Sequence, residues 1–314
     1  MVQSVYCTAA GEASVGESKT GEWVQSGRAF SAAEIAQIRE TVAWLPGLAR
    51  KELAATVCEH LQWYTLTGTP KIHACGQLLE RLQGAGLVQL PALRPVPARR
   101  TAVRAQPAVA AWDERPVRGP LSALGPVHLA VVQTAAQAAQ WRHAMARCHP
   151  LGEHGGFGYR LRYLVMAGER LLGGLLLAGA ARALAVRDGW IGWDAPTRRA
   201  NLVRVLNNTR FLILPHVQVP HLASHVLGQM ARRVATDWQQ HWGFTPLLLE
   251  TFVDPRRYRG TCYRAAGWQV LGQTSGRGLP RAGKTYHSHP RLVLVKPLQA
   301  DWRARLCQAP GSSP

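Results

Sequence analysis

One stretch of the chain holds four side chains capable of acid, base or nucleophile chemistry. It runs Leu247-Leu248-Leu249-Glu250-Thr251-Phe252-Val253-Asp254-Pro255-Arg256-Arg257-Tyr258-Arg259-Gly260-Thr261-Cys262-Tyr263-Arg264. Glu250 follows three leucines, and a carboxylate buried there without a partner is costly, so it either meets a cation such as Arg210 or does acid–base work. Asp254 before Pro255 reads first as a helix N-cap with proline at the first helical position, and second as a catalytic or metal-binding acid. Cys262 lies between Arg259 and Arg264, cations that would lower a thiol pKa; a small buried core thiol is the other reading. Tyr263 is a proton donor or a core aromatic. Glu250, Tyr263, Asp254 and Cys262 are therefore the catalytic candidates, with no cofactor specified by any of them.

Charge points elsewhere. The chain has a net charge of +19, of which +16 lies from residue 128 onward, and such a field concentrates polyanions. Five lysines stand beside 32 arginines, favouring bidentate phosphate contacts and stacking over diffuse attraction. A GC-rich genome would explain the Arg-to-Lys ratio but not the net charge. Nucleic acid, DNA by default, is the expected partner. The residues expected to touch it are Asn207, Asn208 and Arg210; Arg256, Arg257, Arg259 and Arg264 of the turn; and Thr274, Ser275, Arg277, Arg281 and Lys284 of a basic glycine loop suited to phosphate.

Other chemistries fit less well. His221 and His225 stand at helical spacing without the acid of an H-E-x-x-H motif, so no metal is expected. A metal-dependent nuclease or transposase assembled from Asp188, Asp194, Glu250 and Asp254 is a minor alternative. The six cysteines form no C-x-x-C, which suits reduced thiols in a cytosol. No run approaches the roughly 18 apolar residues of a membrane span, and the polar start lacks a signal-peptide core, so a soluble cytoplasmic protein without membrane contact is expected.

The elements that must position these residues fall into four segments. Residues 1–27 read as a disordered tail and 91–126 as a basic Pro/Arg-rich linker. Residues 28–90 predict helices over Ser31 to Trp44 (Ser31 and Glu34 forming a capping box), Arg50 to Tyr64 and Lys71 to Gln83, then a strand Leu87–Leu90. Three helices and a strand suggest a winged helix; with five cations against five acids over 31–90 it is neutral, so protein docking rivals DNA reading by Lys71, His73 and Gln77. Residues 127–314 predict strands alternating with helices: a hairpin about 167–170, an extended Ala180–Asp188, a helix Thr197–Leu206, and a central strand from Arg210 continuing through Val217 and Val219. Next come a long helix bearing Leu222, Val226, Met230, Val234, Trp238 and Trp242, a strand Leu247–Phe252, a helix Asp254–Ala266 and two closing strands. The fold class is α/β or α+β.

That order, with Tyr263 four residues before Gly267-Trp268, resembles the GCN5-related N-acetyltransferases. The resemblance implies an acyltransferase-like mixed sheet flanked by helices, with Val217 to Val219 as a splayed strand, Pro220 to Ser224 as a phosphate turn and Tyr263 as general acid. Val219-Pro220-His221-Leu222-Ala223-Ser224 lacks the family's glycines, so the fold is carried over and coenzyme A is not. A second resemblance spans more motifs: Trp141 with His149-Pro150-Leu151-Gly152, Leu161 to Val165, Trp190-Ile191-Gly192-Trp193, Asn207 to Pro215, Glu250 to Asp254, Gly260 to Tyr263 and Gly272 to Gly278. In that order they resemble the DruA family, named for the Druantia anti-phage system and also found beside mobile elements. This implies a DNA-binding protein of a defence or mobile genetic element system. The alternatives are a transferase acting on nucleic acid with Tyr263 and Glu250 as acid and base, and an adaptor for a helicase or transposase.

Overall fold

A short antiparallel hairpin, β1 (Trp23–Gln25) and β2 (Arg28–Phe30), leads into three helices. The computed structural model describes residues 23–65, 68–93, 112–153, 156–276 and 289–309. The Ser31 hydroxyl accepts from the Glu34 amide while the Glu34 carboxylate accepts from the Ser31 amide, so α1 (Ala32–Trp44) starts on the expected capping box. Helix α2 (Arg50–Leu61) stops earlier than expected because Gln62 turns left-handed at φ 50°. Helix α3 (Ile72–Gly84) buries Cys75, Leu78, Leu79 and Leu82.

Leu87–Leu90 forms no strand; it runs beside α1, with Arg39 Nε donating to the Leu87 carbonyl at 3.1 Å. The hairpin therefore precedes the helices where a wing would follow them. It also lies on α3: Gln25 bonds Gln77 at 2.9 Å, and Arg81 donates to the Val24 carbonyl at 2.7 Å. Part of the α3 face that would have read DNA is covered.

The three-helix unit packs on the remainder of the chain. The Gly158 amide donates to Thr56 Oγ1 at 3.0 Å, the Gly47 amide to the Tyr159 hydroxyl at 3.1 Å, and Glu40 pairs with Arg182 and Arg199. One apolar cluster runs from Phe30 through Leu78 and Trp238 to Leu294.

Beyond it come β3 (Val117–Arg118), β4 (Val127–Val131), α4 (Ala135–Cys148), β5 (Leu161–Ala167), β6 (Arg170–Gly179), α5 (Ala185–Ile191), α6 (Ala195–Asn201), β7 (Val205–Ile213), β8 (Val217–Gln218), α7 (Leu222–Trp242), β9 (Leu248–Val253), α8 (Thr261–Ala265), β10 (Gln269–Gln273), β11 (Leu292–Pro297) and α9 (Trp302–Leu306). Seven strands form one mixed sheet in the order β10-β11-β9-β7-β6-β5-β4. Only β7 and β9 are parallel neighbours, and their ladder lasts from Val205↔Leu248 to Asn207↔Glu250. Beyond it β7 stays on β6 and β9 stays on β11, so the two strands fork. A register shift against β6 between Asn208 and Arg210 falls where the fork opens. This is the mixed sheet flanked by helices that the acyltransferase resemblance implies.

Four expectations are corrected. The splayed strand is β7; Val217–Gln218 instead pairs with β3 in a separate two-stranded sheet. Part of the supposedly extended Ala180–Asp188 belongs to α5. The helix expected to reach Leu206 ends at Asn201, so β7 begins earlier and takes in Asn207 and Asn208. Asp254 caps no helix: a turn follows it, and α8 begins only after Gly260, which is left-handed at φ +68°.

Candidate nucleic-acid interface at the fork of the sheet

Successive residues of a strand face opposite sides, so Glu250 and Thr251 on β9 look into different environments. On the α8 side, the Thr251 hydroxyl donates to the Asn208 carbonyl at 3.0 Å, and the Tyr263 hydroxyl donates to Asn208 Oδ1 at 2.7 Å. The Asn208 amide nitrogen donates to the carbonyls of Leu176 and Arg210. These side chains cross-link the diverging strands. Burial raises the Tyr263 pKa far above the usual phenol value, so the proton stays on its oxygen. Cys262 beside it is half-buried, and burial likewise raises its thiol; the flanking arginines do not make it a thiolate.

On the other side, Glu250 is fully buried. One oxygen accepts from the Ala181 amide at 2.8 Å and the other from Arg187 at 2.8 Å. The cation is Arg187, not Arg210. Arg187 is fully buried on α5; burial opposes its charge, but Glu250 and Asp188 outweigh it, and the guanidinium also donates to Asp188 Oδ1 and the Ala181 carbonyl. Asp188 in turn accepts from Trp193 and Arg198. Glu250 and Tyr263 therefore share no cleft, and β9 stands between them. Asn207 is buried, paired in register with Glu250, and its Oδ1 has no partner among the described residues.

Arg210, 9% exposed, donates to the carbonyls of Thr209, Gly152 and Leu151, fastening the loop that holds Leu151 and Gly152 to β7. Burial and the neighbouring Arg291 both disfavour its charge. His149 in this loop is pushed down to about 4 by burial and by Arg210, so it is neutral near pH 7.

The charge in surplus sits just past the fork. After β9, the Asp254 carbonyl accepts from the amides of Arg257 and Tyr258 in a tight turn. Arg256, Arg257, Arg259 and Arg264 are exposed there, and exposed Arg291 stands across the ladder, next to the Leu292↔Val253 pair. Asp254 is the only acid in this rim among the described residues. Its carboxyl is held at about 2, chiefly by a bidentate hydrogen bond from Arg256. Arg257, Arg259 and Arg264 form no ion pair with any described residue. Thr274 and Arg291 bond each other at the base of the basic glycine loop, with Ser275 beside them. Arg277, Arg281 and Lys284 lie outside the described residues. Sequence reasoning missed Arg187, hidden in an apolar run, and did not single out Tyr258, an exposed aromatic set among arginines.

Residues 114–304, more than half of the chain, match the family described as Druantia protein DruA, and the chain belongs to that family. No curated protein matches it. Three solved structures similar to it are acetyltransferases. An aminoglycoside acetyltransferase in complex with coenzyme A is 15% identical with a TM-score of 0.37, covering 57% of this chain and 99% of its own. A Bacillus subtilis acetyltransferase in complex with CoA is 10% identical with a TM-score of 0.33, covering 55% and 100%. The ribosomal-protein-S18-alanine N-acetyltransferase of Escherichia coli is 8% identical with a TM-score of 0.32, covering 55% and 94%.

The residues at the fork do not fit a coenzyme A-like group. Thr251, Asn208 and Tyr263 bridge the strands that would have to stand apart. The start of α7 offers no glycine, His221 there is itself left-handed at φ 64°, and the Ser224 hydroxyl is engaged by the His221 carbonyl. No helix among the described residues is long and apolar enough to cross a membrane. No group of three potential metal ligands occurs among them.

Proposed function

We propose that this protein binds nucleic acid, most simply DNA, in the cytoplasm as part of an anti-phage defence or mobile genetic element system. It grips the phosphate backbone with the arginine rim past the fork. The observation that carries this reading is the exposed set Arg256, Arg257, Arg259, Arg264 and Arg291 around the single carboxylate Asp254. Guanidinium groups without acidic partners are free to replace the counterions of a phosphate chain, and that release drives binding. Family membership supports the cellular setting.

The test is the triple variant Arg257→Glu, Arg259→Glu, Arg264→Glu in the full chain, titrated with labelled DNA at several salt concentrations. Affinity should fall at least about tenfold, and the slope of log K against log salt should become shallower by roughly 3, about one per arginine removed. Thermal unfolding should stay near wild type, because exposed charges contribute little to stability. An unchanged affinity and slope would reject the reading.

A further inference from the structure

We propose that the nucleic acid taken by this rim presents unpaired bases, and that Tyr258 is the platform on which one of them stacks; this rests on the rim binding nucleic acid at all. Tyr258 is 56% exposed. The turn does not require it: Asp254 closes the turn through its carbonyl and carboxylate, Pro255 fixes the backbone, and Gly260 supplies the left-handed exit. The core does not use it either.

A lone exposed aromatic is ordinary. This one stands in the run Arg256-Arg257-Tyr258-Arg259, so a base lying on the ring would have its phosphates among guanidinium groups. Among described residues 112–309, the large apolar side chains exposed to solvent are Tyr258 and Leu151. Leu151 lies beside Arg210, whose guanidinium donates to its carbonyl at 3.3 Å, on the stretch of β7 beyond the last β7–β9 pair. Both exposed apolar side chains thus follow the point where β7 and β9 part, as do the rim arginines. Duplex DNA buries its base faces and has no use for a ring held among phosphate-binding groups, whereas a single strand offers both faces and backbone.

The experiment compares a single-stranded oligonucleotide carrying a fluorescent purine analogue with the blunt duplex of the same sequence, both bound to the full-chain protein. Wild type should bind the single strand more tightly and quench the analogue. Tyr258→Ala should weaken single-strand binding about tenfold and remove the quench. Duplex affinity should change less than about twofold, and Tyr258→Phe should behave as wild type. Salt-dependent binding of both substrates, with no single-strand preference and a silent Tyr258→Ala, would overturn this inference alone. Binding of neither substrate by wild type would overturn the rim reading, and this inference with it.

Discussion

Glu250 and Asp254 are four residues apart on one strand and its exit, and both are carboxylates that could do chemistry; the fold gives them opposite surroundings. Glu250 is sealed among groups that balance it, with Arg187, Asp188 and the Ala181 backbone completing the hydrogen-bonding needs of the cluster. Asp254 is half-buried at the surface, engaged by Arg256, with the exposed Arg257, Arg259, Arg264 and Arg291 left over. Burial forces a charge to find its complement inside the molecule, whereas exposure lets a surplus stand and be used on something outside. The difference separates a cluster that holds the sheet together from one that can hold a ligand.

The sharpest way to break this comparison is Arg187→Ala, which leaves Glu250 buried without its counter-ion. Stability should drop by roughly 3–5 kcal/mol in denaturant titrations, against under about 0.5 kcal/mol for Arg264→Ala. If both variants unfold at the same denaturant concentration, the two clusters are not different in kind. The pair Arg187→Met with Glu250→Leu should recover part of the loss, since it removes the lone buried charge but leaves the Ala181 amide and carbonyl without these partners.

Acid titration comes next. Burial, with Arg182 nearby, pushes His60 down to about 4, and His149 behaves alike. The unfolded chain takes up these protons near pH 6.5 while the folded chain refuses them until about pH 4, so stability should fall as pH drops across that window. Each group contributes at most about 1.4 kcal/mol per pH unit. Asp254 is shifted in the same direction, over a lower window: its contribution should be fully present above its ordinary pKa of 3.8 and vanish as pH falls through about 2. Melts from pH 7 to 4 for wild type and His60→Leu measure this; an equal slope in both would remove His60 as a cause.

Tyr263→Phe should cost about 1–2 kcal/mol, because Asn208 Oδ1 loses its donor inside the fork. Nucleic-acid affinity should be unaltered, and a selective loss of function in a protein of normal stability would restore a chemical role to the phenol. The smallest effect is expected from Asp254→Asn, which removes the one opposing charge from the rim and should tighten DNA binding by about two- to threefold at low salt.

Local chemistry made much of the fold legible. The Ser31 and Glu34 box places α1, and apolar residues four apart from Leu222 to Trp238 place α7, because both signals act within a turn or two of helix. What depended on distant pairing was not visible. Leu87–Leu90 has strand composition but finds no ladder. Arg187 reads as part of an apolar extended run until its partner 63 residues away on β9 is known. Asp254-Pro255 carries a helix-start signal that the left-handed Gly260 overrides. The rim arginines could be read directly from composition, since surface charge needs no partner. The fork that groups them arises from where β7 and β9 part, which no local pattern encodes.

The order in which the chain is made has a consequence for when the protein can act. Strand β11 is the last strand of the large sheet to be synthesised, yet it lies inside it, between β9 and β10. Until the ribosome has passed Pro297, β9 has an open edge, Arg291 has no ladder to hold it opposite Asp254, and the cationic rim is incomplete. A nascent chain therefore carries its rim arginines without that geometry until β11 has been made and has paired with β9.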